Sequence, residues 1–230
     1  MNTKFALLSV LVYFLQMTVI SGQKPGNELL FNHALMAPES VEGSFHDLAT
    51  YLKGPANSDK EVVETIFYWM AINITYYDDP SLENDDEEII ATTTLLTKKS
   101  GCEGTARLFY KLCTAAGVEC VVIFGIANSY GIESDRSNSN HGWNAVKLDG
   151  KWELVDATWG GGGSTNQGKK KVYVKELDMR YLFADPDSFV IDHFPEQKNW
   201  QLLDQPISKG TFYSDFYDLK RMAKHTKYTN

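Results

Sequence analysis

Apolar residues recur at helical spacing through the first half of the chain and alternate at strand spacing in the second half, a pattern that predicts helices first and an antiparallel sheet afterwards. Ser44 reads as an N-cap with Asp47 three residues on; Phe45, Leu48 and Leu52 then share one helix face, and Gly54-Pro55 is the stop. The Ser58/Glu61 capping pair opens a second helix, in which Val62, Val63, Ile66, Phe67 and Met70 keep helical spacing to about Asn73. The acidic run Asp85, Asp86, Glu87, Glu88 reads as a solvated loop, followed by a short helix or strand near Ile89 to Leu96. Ser100 and Glu103 match another capping box. That places Cys102 in the first turn of a helix whose inner face is Ala106, Phe109, Leu112, Cys113 and Ala116, ended by Gly117.

From there the period changes. Val118 to Ala127 reads as a buried strand and Asn128 to Asn140 as a polar loop. His141 to Leu148 and Lys151 to Trp159 alternate around Asp149-Gly150, the dipeptide favoured in a type I′ hairpin turn. A two-residue turn sets the register: Trp143 faces Asp156 and His141 faces Thr158, so His141 and Asp156 are diagonal neighbours on one face, within hydrogen-bond reach. Residues 23 to 43 read as an extended lead-in, Gly160 to Lys171 as a flexible loop, and Lys220 to Asn230 as polar and basic. The organisation expected is a leader over residues 1–22, one domain over 23–215 and a polar tail over 216–230.

The leader is a secretory signal peptide by its pattern: Lys4 supplies a positive start, Phe5 to Ile20 is largely apolar, and Ser21-Gly22 offers small residues for cleavage. The apolar run falls short of the roughly 18 residues that a membrane anchor needs, so the expectation is a secreted, extracellular protein with no stable anchor after cleavage. Asn73-Ile74-Thr75 is an N-glycosylation sequon that fits this route. A chain 43% apolar and 23% charged has the composition of a globular domain, which excludes disordered and collagen-like classes. With 22 basic and 30 acidic residues the net charge is −8, which argues against nucleic acid as a partner held by bulk electrostatics. No CxxC, HExxH or EF-hand spacing occurs, so neither a metal nor another cofactor is expected.

The candidate chemistry rests on Cys102, His141 and Asp156. A helix N-terminus offers unpaired N–H groups and a positive dipole end that favour a thiolate, and a histidine takes or shares the thiol proton. A carboxylate then fixes the imidazole tautomer. Three cysteines are an odd count for a secreted chain, so at least one stands outside an internal disulfide. Cys113 and Cys120 read as core packing, with a Cys113–Cys120 disulfide across Gly117 as the alternative.

Gly101-Cys102-Glu103-Gly104, Leu112-Cys113 with Ala116-Gly117, His141-Gly142-Trp143-Asn144-Ala145-Val146, and Gly150-Lys151-Trp152 through Val155-Asp156-Ala157-Thr158-Trp159-Gly160 resemble the transglutaminase-like superfamily, in particular its kyphoscoliosis-peptidase-like branch. Ile66 to Trp69, Ile74 to Asp78, His193-Phe194-Pro195 and Trp200 to Leu203 resemble the same group. Gly142 departs from the alanine, and Thr105 from the aromatic, common in that family. The resemblance implies an α+β, papain-like transglutaminase core with the cysteine-bearing helix packed on an antiparallel β-sheet. It also implies acyl transfer through a thioester, with Cys102 as nucleophile, His141 as base and Asp156 as the orienting acid. Trp143 and Trp159 are candidate substrate-binding walls, although both, like Trp152, serve equally as core. The function expected is acyl transfer or hydrolysis on the amide groups of a protein or peptide substrate; the alternative is a catalytically weak fold that acts as a binding or scaffold module. Oligomeric state is not legible.

Expression in a eukaryotic host should yield a secreted product that starts near Gln23 and carries a glycan on Asn73. Intact mass checks both, and a retained Met1 refutes the leader.

Overall fold

The computed structural model describes residues 25–77, 86–128, 139–167 and 170–225. The expected leader, Asp85 of the acidic run and residues 226–230 lie outside the described residues.

The N-terminal part is helical because short polar residues cap runs of apolar spacing. The stretch expected to be an extended lead-in instead begins with α1 (Glu28–Leu35), where the Asn27 side chain accepts from the N–H groups of Leu29 and Leu30. Leu30, Phe31 and Ala34 give it a buried face, and Phe31 meets Tyr68 edge-on at 5.4 Å. The capping signal at Asn27 was present in the sequence; its apolar face is too short to stand out by period. In α2 (Phe45–Lys53) the Ser44 side chain accepts from the Asp47 N–H, and in α3 (Asp59–Asn73) Ser58 accepts from Glu61. The Glu61 carboxylate turns to Asn57 rather than closing the box. From Ile66 to Ile72 every residue of α3 is buried, so this helix is the axis of the core.

A two-residue strand β1 (Thr75–Tyr76) runs parallel to β2 (Lys99–Ser100), with α4 (Glu87–Thr97) between them. Asp86 caps α4, and Glu87 and Glu88 fill its first turn, where the helix dipole favours acids. Those three residues of the expected solvated loop are therefore a helix start.

The cysteine-bearing helix is α5 (Cys102–Ala116), closed by Gly117 at φ 88°. Its N-cap is Gly101, without a side-chain cap. The expected Ser100/Glu103 box does not form because Ser100 is buried in β2, where its hydroxyl donates to the Gly101 carbonyl, and Glu103 pairs instead with Arg107. Cys102 occupies the first helical position regardless.

The sheet is built from β3 (Cys120–Ala127), β4 (His141–Leu148) and β5 (Lys151–Val155). A one-turn helix α6 (Ala157–Gly160) and a separate hairpin, β6 (Gly162–Gln167) with β7 (Lys170–Lys175), follow. This hairpin replaces the expected flexible loop, since backbone pairing across it satisfies the polar groups of an otherwise weakly patterned segment. Next come β8 (Leu182–Ala184), α7 (Pro186–Phe189) and β9 (His193–Pro195), and the strand order is β8-β5-β4-β3-β9 with antiparallel neighbours. The α5 face of the sheet carries Val146 and Val155 into the helical core, while Ile123, Trp143, Ala145 and Leu154 face Tyr181 and Phe189 on the other side. The result is an α+β fold, with the cysteine-bearing helix packed on the antiparallel sheet.

The β4–β5 register pairs Leu148 with Lys151 and Asn144 with Val155, and Asp149 and Gly150 take φ of 50° and 79°, as a type I′ turn requires. The ladder stops at Val155, so the projected Trp143–Asp156 and His141–Thr158 pairs do not form. After α8 (Lys209–Phe212) the chain ends its described course in α9 (Asp215–His225). The polar tail expected from 216 is thus largely helix. It holds Arg221, 1% exposed, whose guanidinium donates to the carbonyls of Ile191 and Phe212 and lies over the Phe212 ring. Charge concealed the element: an arginine that saturates buried carbonyls looks in sequence like a solvated one.

Gly125 is where β9 meets β3: a Cβ there would lie 2.3 Å from the Phe194 carbonyl oxygen and 2.7 Å from Pro195 Cα. The Trp143 ring lies within 2.6 Å as well, so Gly125→Ala should displace β9 or that ring and lower unfolding free energy by about 1–3 kcal/mol, read from urea denaturation.

Candidate active site

The α5 N-terminus, the start of β4 and the residue after β5 converge. Cys102 is half-buried at the first position of α5, with its sulfur 3.9 Å from the Asn140 carbonyl oxygen. The His141 side chain and the backbone N–H of Gly142 both act on this thiol to lower its pKa. Gly142 leaves room for the helix end: a Cβ there would stand 3.3 Å from the Phe124 ring and 3.7 Å from Glu103 Cα. An alanine is tight but tolerable; a larger side chain would push the helix end away. Thr105, the other departure from the family pattern, is buried and donates its hydroxyl to the Gly101 carbonyl, tying down the residue before the cysteine.

His141 Nε2 lies 2.8 Å from Asp156 Oδ2, which leaves Nδ1 for the sulfur. Asp156 is fully buried, and its other oxygen, Oδ1, accepts from the N–H groups of Thr158 at 2.8 Å and Trp159 at 3.0 Å. Asp156 is therefore the N-cap of α6 as well as the partner of the histidine. This explains the early end of the ladder: capping needs the backbone to leave the strand, and the carboxylate reaches His141 from the cap position instead of from a paired one.

The electrostatics favour an ion pair. For Cys102, burial opposes ionisation, but the hydrogen bond and charge of His141 and the Gly142 N–H outweigh it and lower the thiol's pKa. His141 is pushed up to about 10: burial opposes the charged ring, yet the Asp156 charge and hydrogen bond and the Cys102 thiolate overcome it. Asp156 goes well below the usual carboxylate range, burial being outweighed by His141 and His193.

His193 was named in the sequence only as part of a family resemblance and given no role. It is buried on β9, and its Nε2 lies 3.0 Å from the same Asp156 Oδ2 that His141 engages. Its only sequence signal was a histidine in a short apolar strand, and no local pattern tells a ligand of the site from a core residue. Among the described residues, His141, Asp156 and His193 are the set whose metal-type donor atoms lie within 4.8 Å of one another. Nε2 of both rings lies at hydrogen-bond distance, 2.8 and 3.0 Å, from one carboxylate oxygen of Asp156.

The other expected residues divide. Trp143 is 1% exposed and packs against His141, Phe189 and His193 from inside, so it supports the imidazole and presents no wall to a substrate. Its sheet-facing position on β4 turns the ring into the second core. Trp159 is half-buried, with its ring centroid 5.6 Å from that of His141. Trp152 pairs with Trp200 elsewhere on the sheet. Cys113 and Cys120 are both buried and unbridged, and burial pushes the Cys113 thiol up. Asn73 ends α3, its amide donating to the Trp69 carbonyl at 3.0 Å.

Residues 46–157 match the family model of the transglutaminase-like superfamily. Kyphoscoliosis peptidase of Mus musculus is 37% identical over 195 residues, which is 81% of this chain and 29% of that protein. Hillarin of Drosophila melanogaster is 32% identical over 194 residues, 78% of this chain and 23% of that protein. The chain thus spans less than a third of the length of these relatives. The crystal structure of a TGase superposes with a TM-score of 0.39 at 15% identity, covering 59% of this chain and 37% of that one.

The shifts set a pH dependence. The raised His141 contributes to folding fully below about pH 6.5, and the contribution is lost as pH rises through about 10. The depressed Asp156 contributes above about pH 4 and loses its contribution as pH falls through its native value. Around this pair, iodoacetamide at pH 6–7 should alkylate Cys102 at least tenfold faster than Cys113 or Cys120, as read by peptide mass spectrometry. Equal labelling of all three in the native protein would refute an activated Cys102.

Proposed function

The chain belongs to the transglutaminase-like superfamily through residues 46–157, and from that premise we propose that it is a thiol-dependent acyltransferase or hydrolase acting on protein amide groups. The observation that carries this reading is the thiol of Cys102 at the head of α5, its pKa lowered by His141, whose Nε2 is held at 2.8 Å by a buried carboxylate. In the proposed reaction Cys102 Sγ attacks the amide carbonyl carbon. The C–N bond breaks as the His141 imidazolium gives its proton to the departing amine, leaving a thioester. An amine or a water then attacks the thioester, His141 takes the proton of the incoming group, and the thiolate leaves. Asp156 stays ionised throughout and holds the ring in its tautomer.

Further details support the reading. The backbone N–H of Cys102 belongs to the first turn of a helix, where it has no partner within the helix, and is a ready donor to the oxyanion of the tetrahedral intermediate. Trp159, half-buried beside His141, is the better placed of the two tryptophans for contact with an acyl group. Secretion through the residue 1–22 leader is part of the same proposal and rests on the sequence pattern alone.

The test supplies the protein with a labelled primary amine and a glutamine-rich protein, and follows both amine incorporation and ammonia release. Cys102→Ala should abolish both signals. Asp156→Asn preserves the cap on α6 but not the charge, and should cut turnover by about 10²–10⁴-fold with the fold intact by circular dichroism. Activity at the wild-type level in Cys102→Ala refutes the proposal.

A further inference from the structure

Behind Asp156 the hydrogen bonds continue across the molecule. The second ring nitrogen of His193, Nδ1, lies 2.7 Å from Asp192 Oδ1, and the other oxygen of Asp192 lies 2.8 Å from the Lys224 ammonium on α9. His193 and Asp192 are fully buried, and the Lys224 side chain is 13% exposed. Lysines near a helix end usually run out to water. This one turns inward, donating also to the Ser188 carbonyl at 2.9 Å and lying 5.4 Å from the centre of the Tyr181 ring. The His193 ring is fixed from both sides, stacked on Phe189 at 4.0 Å and met edge-on by Trp159 at 4.6 Å. A carboxylate oxygen faces each of its nitrogens, so it links two buried acids with no freedom to rotate.

We propose that Lys224, Asp192 and His193 are positioning residues for Asp156, so that the C-terminal helix α9 sets the pH range over which Cys102 reacts. The proposal rests on the role of Cys102, His141 and Asp156 given above and adds a layer behind it. Asp156 Oδ2 is shared between two imidazoles, and whatever holds His193 in place also decides how much of that oxygen is left to His141. Asp192 is fully buried, and the Lys224 ammonium offsets part of the cost of keeping it charged there. Without the ammonium, Asp192 holds the His193 ring less firmly, and Asp156 Oδ2 is held less firmly toward His141. A looser Asp156–His141 pair stabilises the imidazolium less, which raises the pH at which Cys102 ionises.

Other ionisable groups surround this line. Tyr181 stands 6.0 Å from the His193 ring and senses Asp192, Asp178 and Asp156; Tyr173, on β7, senses Asp156. Burial first, and then these carboxylates, push both tyrosines up, so they stay protonated over the range that matters. Arg180 pairs with Asp178 and donates to the Lys224 carbonyl, holding the same end of α9 without an observed bond to Asp192.

The experiment measures the rate of Cys102 carboxymethylation by iodoacetamide from pH 4 to 9 in the whole chain, with thermal unfolding alongside. In the wild type the acid limb should lie below that of an ordinary thiol. Lys224→Met and His193→Gln should move it up by about half a pH unit or more. Lys224→Arg should restore it. Arg180→Met, which removes the same charge from the same helix end, should lower the unfolding temperature yet leave the limb in place. The positioning role is overturned, with the proposed reaction standing, if Lys224→Met and His193→Gln keep the wild-type limb, or if Lys224→Met and Arg180→Met shift it alike. An ordinary thiol profile in the wild type overturns both.

Discussion

The carboxylate of Asp156 is the constraint on which the site depends. It is fully buried, and it accepts four hydrogen bonds: two from backbone N–H groups of α6 and two from imidazole rings. A buried carboxylate left unpaired costs several kcal/mol, so the residues around it are not free to vary independently. The capping bonds make β5 stop at Val155. The imidazole bonds require the start of β4 and the short strand β9 to arrive on one side of the same oxygen.

The fold meets that demand through close backbone approaches. β9 lies against β3 where Gly125 presents no side chain, which brings His193 to the sheet edge beside His141. Gly142 leaves room for the head of α5, where the His141 side chain and the Gly142 N–H lower the pKa of the Cys102 thiol. Deeper in the sheet, the Asn144 amide donates to the Ala106 carbonyl of α5 at 3.0 Å and fastens the helix to β4. The helical layer of α1 to α3 buries the back of α5 in the larger core and keeps its N-terminus aimed at the sheet. Trp143 closes the smaller core beneath the imidazole, with its indole N–H buried and without a partner among the described residues. Such an orphaned donor costs about 1–3 kcal/mol, tolerable where the ring itself is fully packed.

The features legible in the sequence were the local ones. The Ser44 and Ser58 caps, the glycine stop at Gly117, the strand expected over Val118–Ala127, which begins at Cys120, and the Asp149-Gly150 turn each depend on residues within a few positions of one another, and each was read correctly in type. The turn also fixed the β4–β5 register as far as Val155, because a two-residue hairpin admits one, although Asp156 reaches His141 from the cap of α6 and not from a pair in the ladder. The resemblance to the transglutaminase-like superfamily rested on the same short segments. Ser100 misled because its hydroxyl had two uses, and burial in β2 decided between them.

What the sequence by itself determined is the set of helices and the one hairpin that together carry Cys102, His141 and Asp156, because periodicity, caps and turn geometry are short-range. Only the tertiary structure decided that Asp156 would leave the strand to cap α6, that His193 would share its oxygen, and that α9 would fold inward as far as Lys224. Those outcomes turn on burial. A histidine, an aspartate and a lysine far apart in the chain read as ordinary polar residues until packing removes water from all of them at once and leaves each as the others' hydrogen-bonding partner.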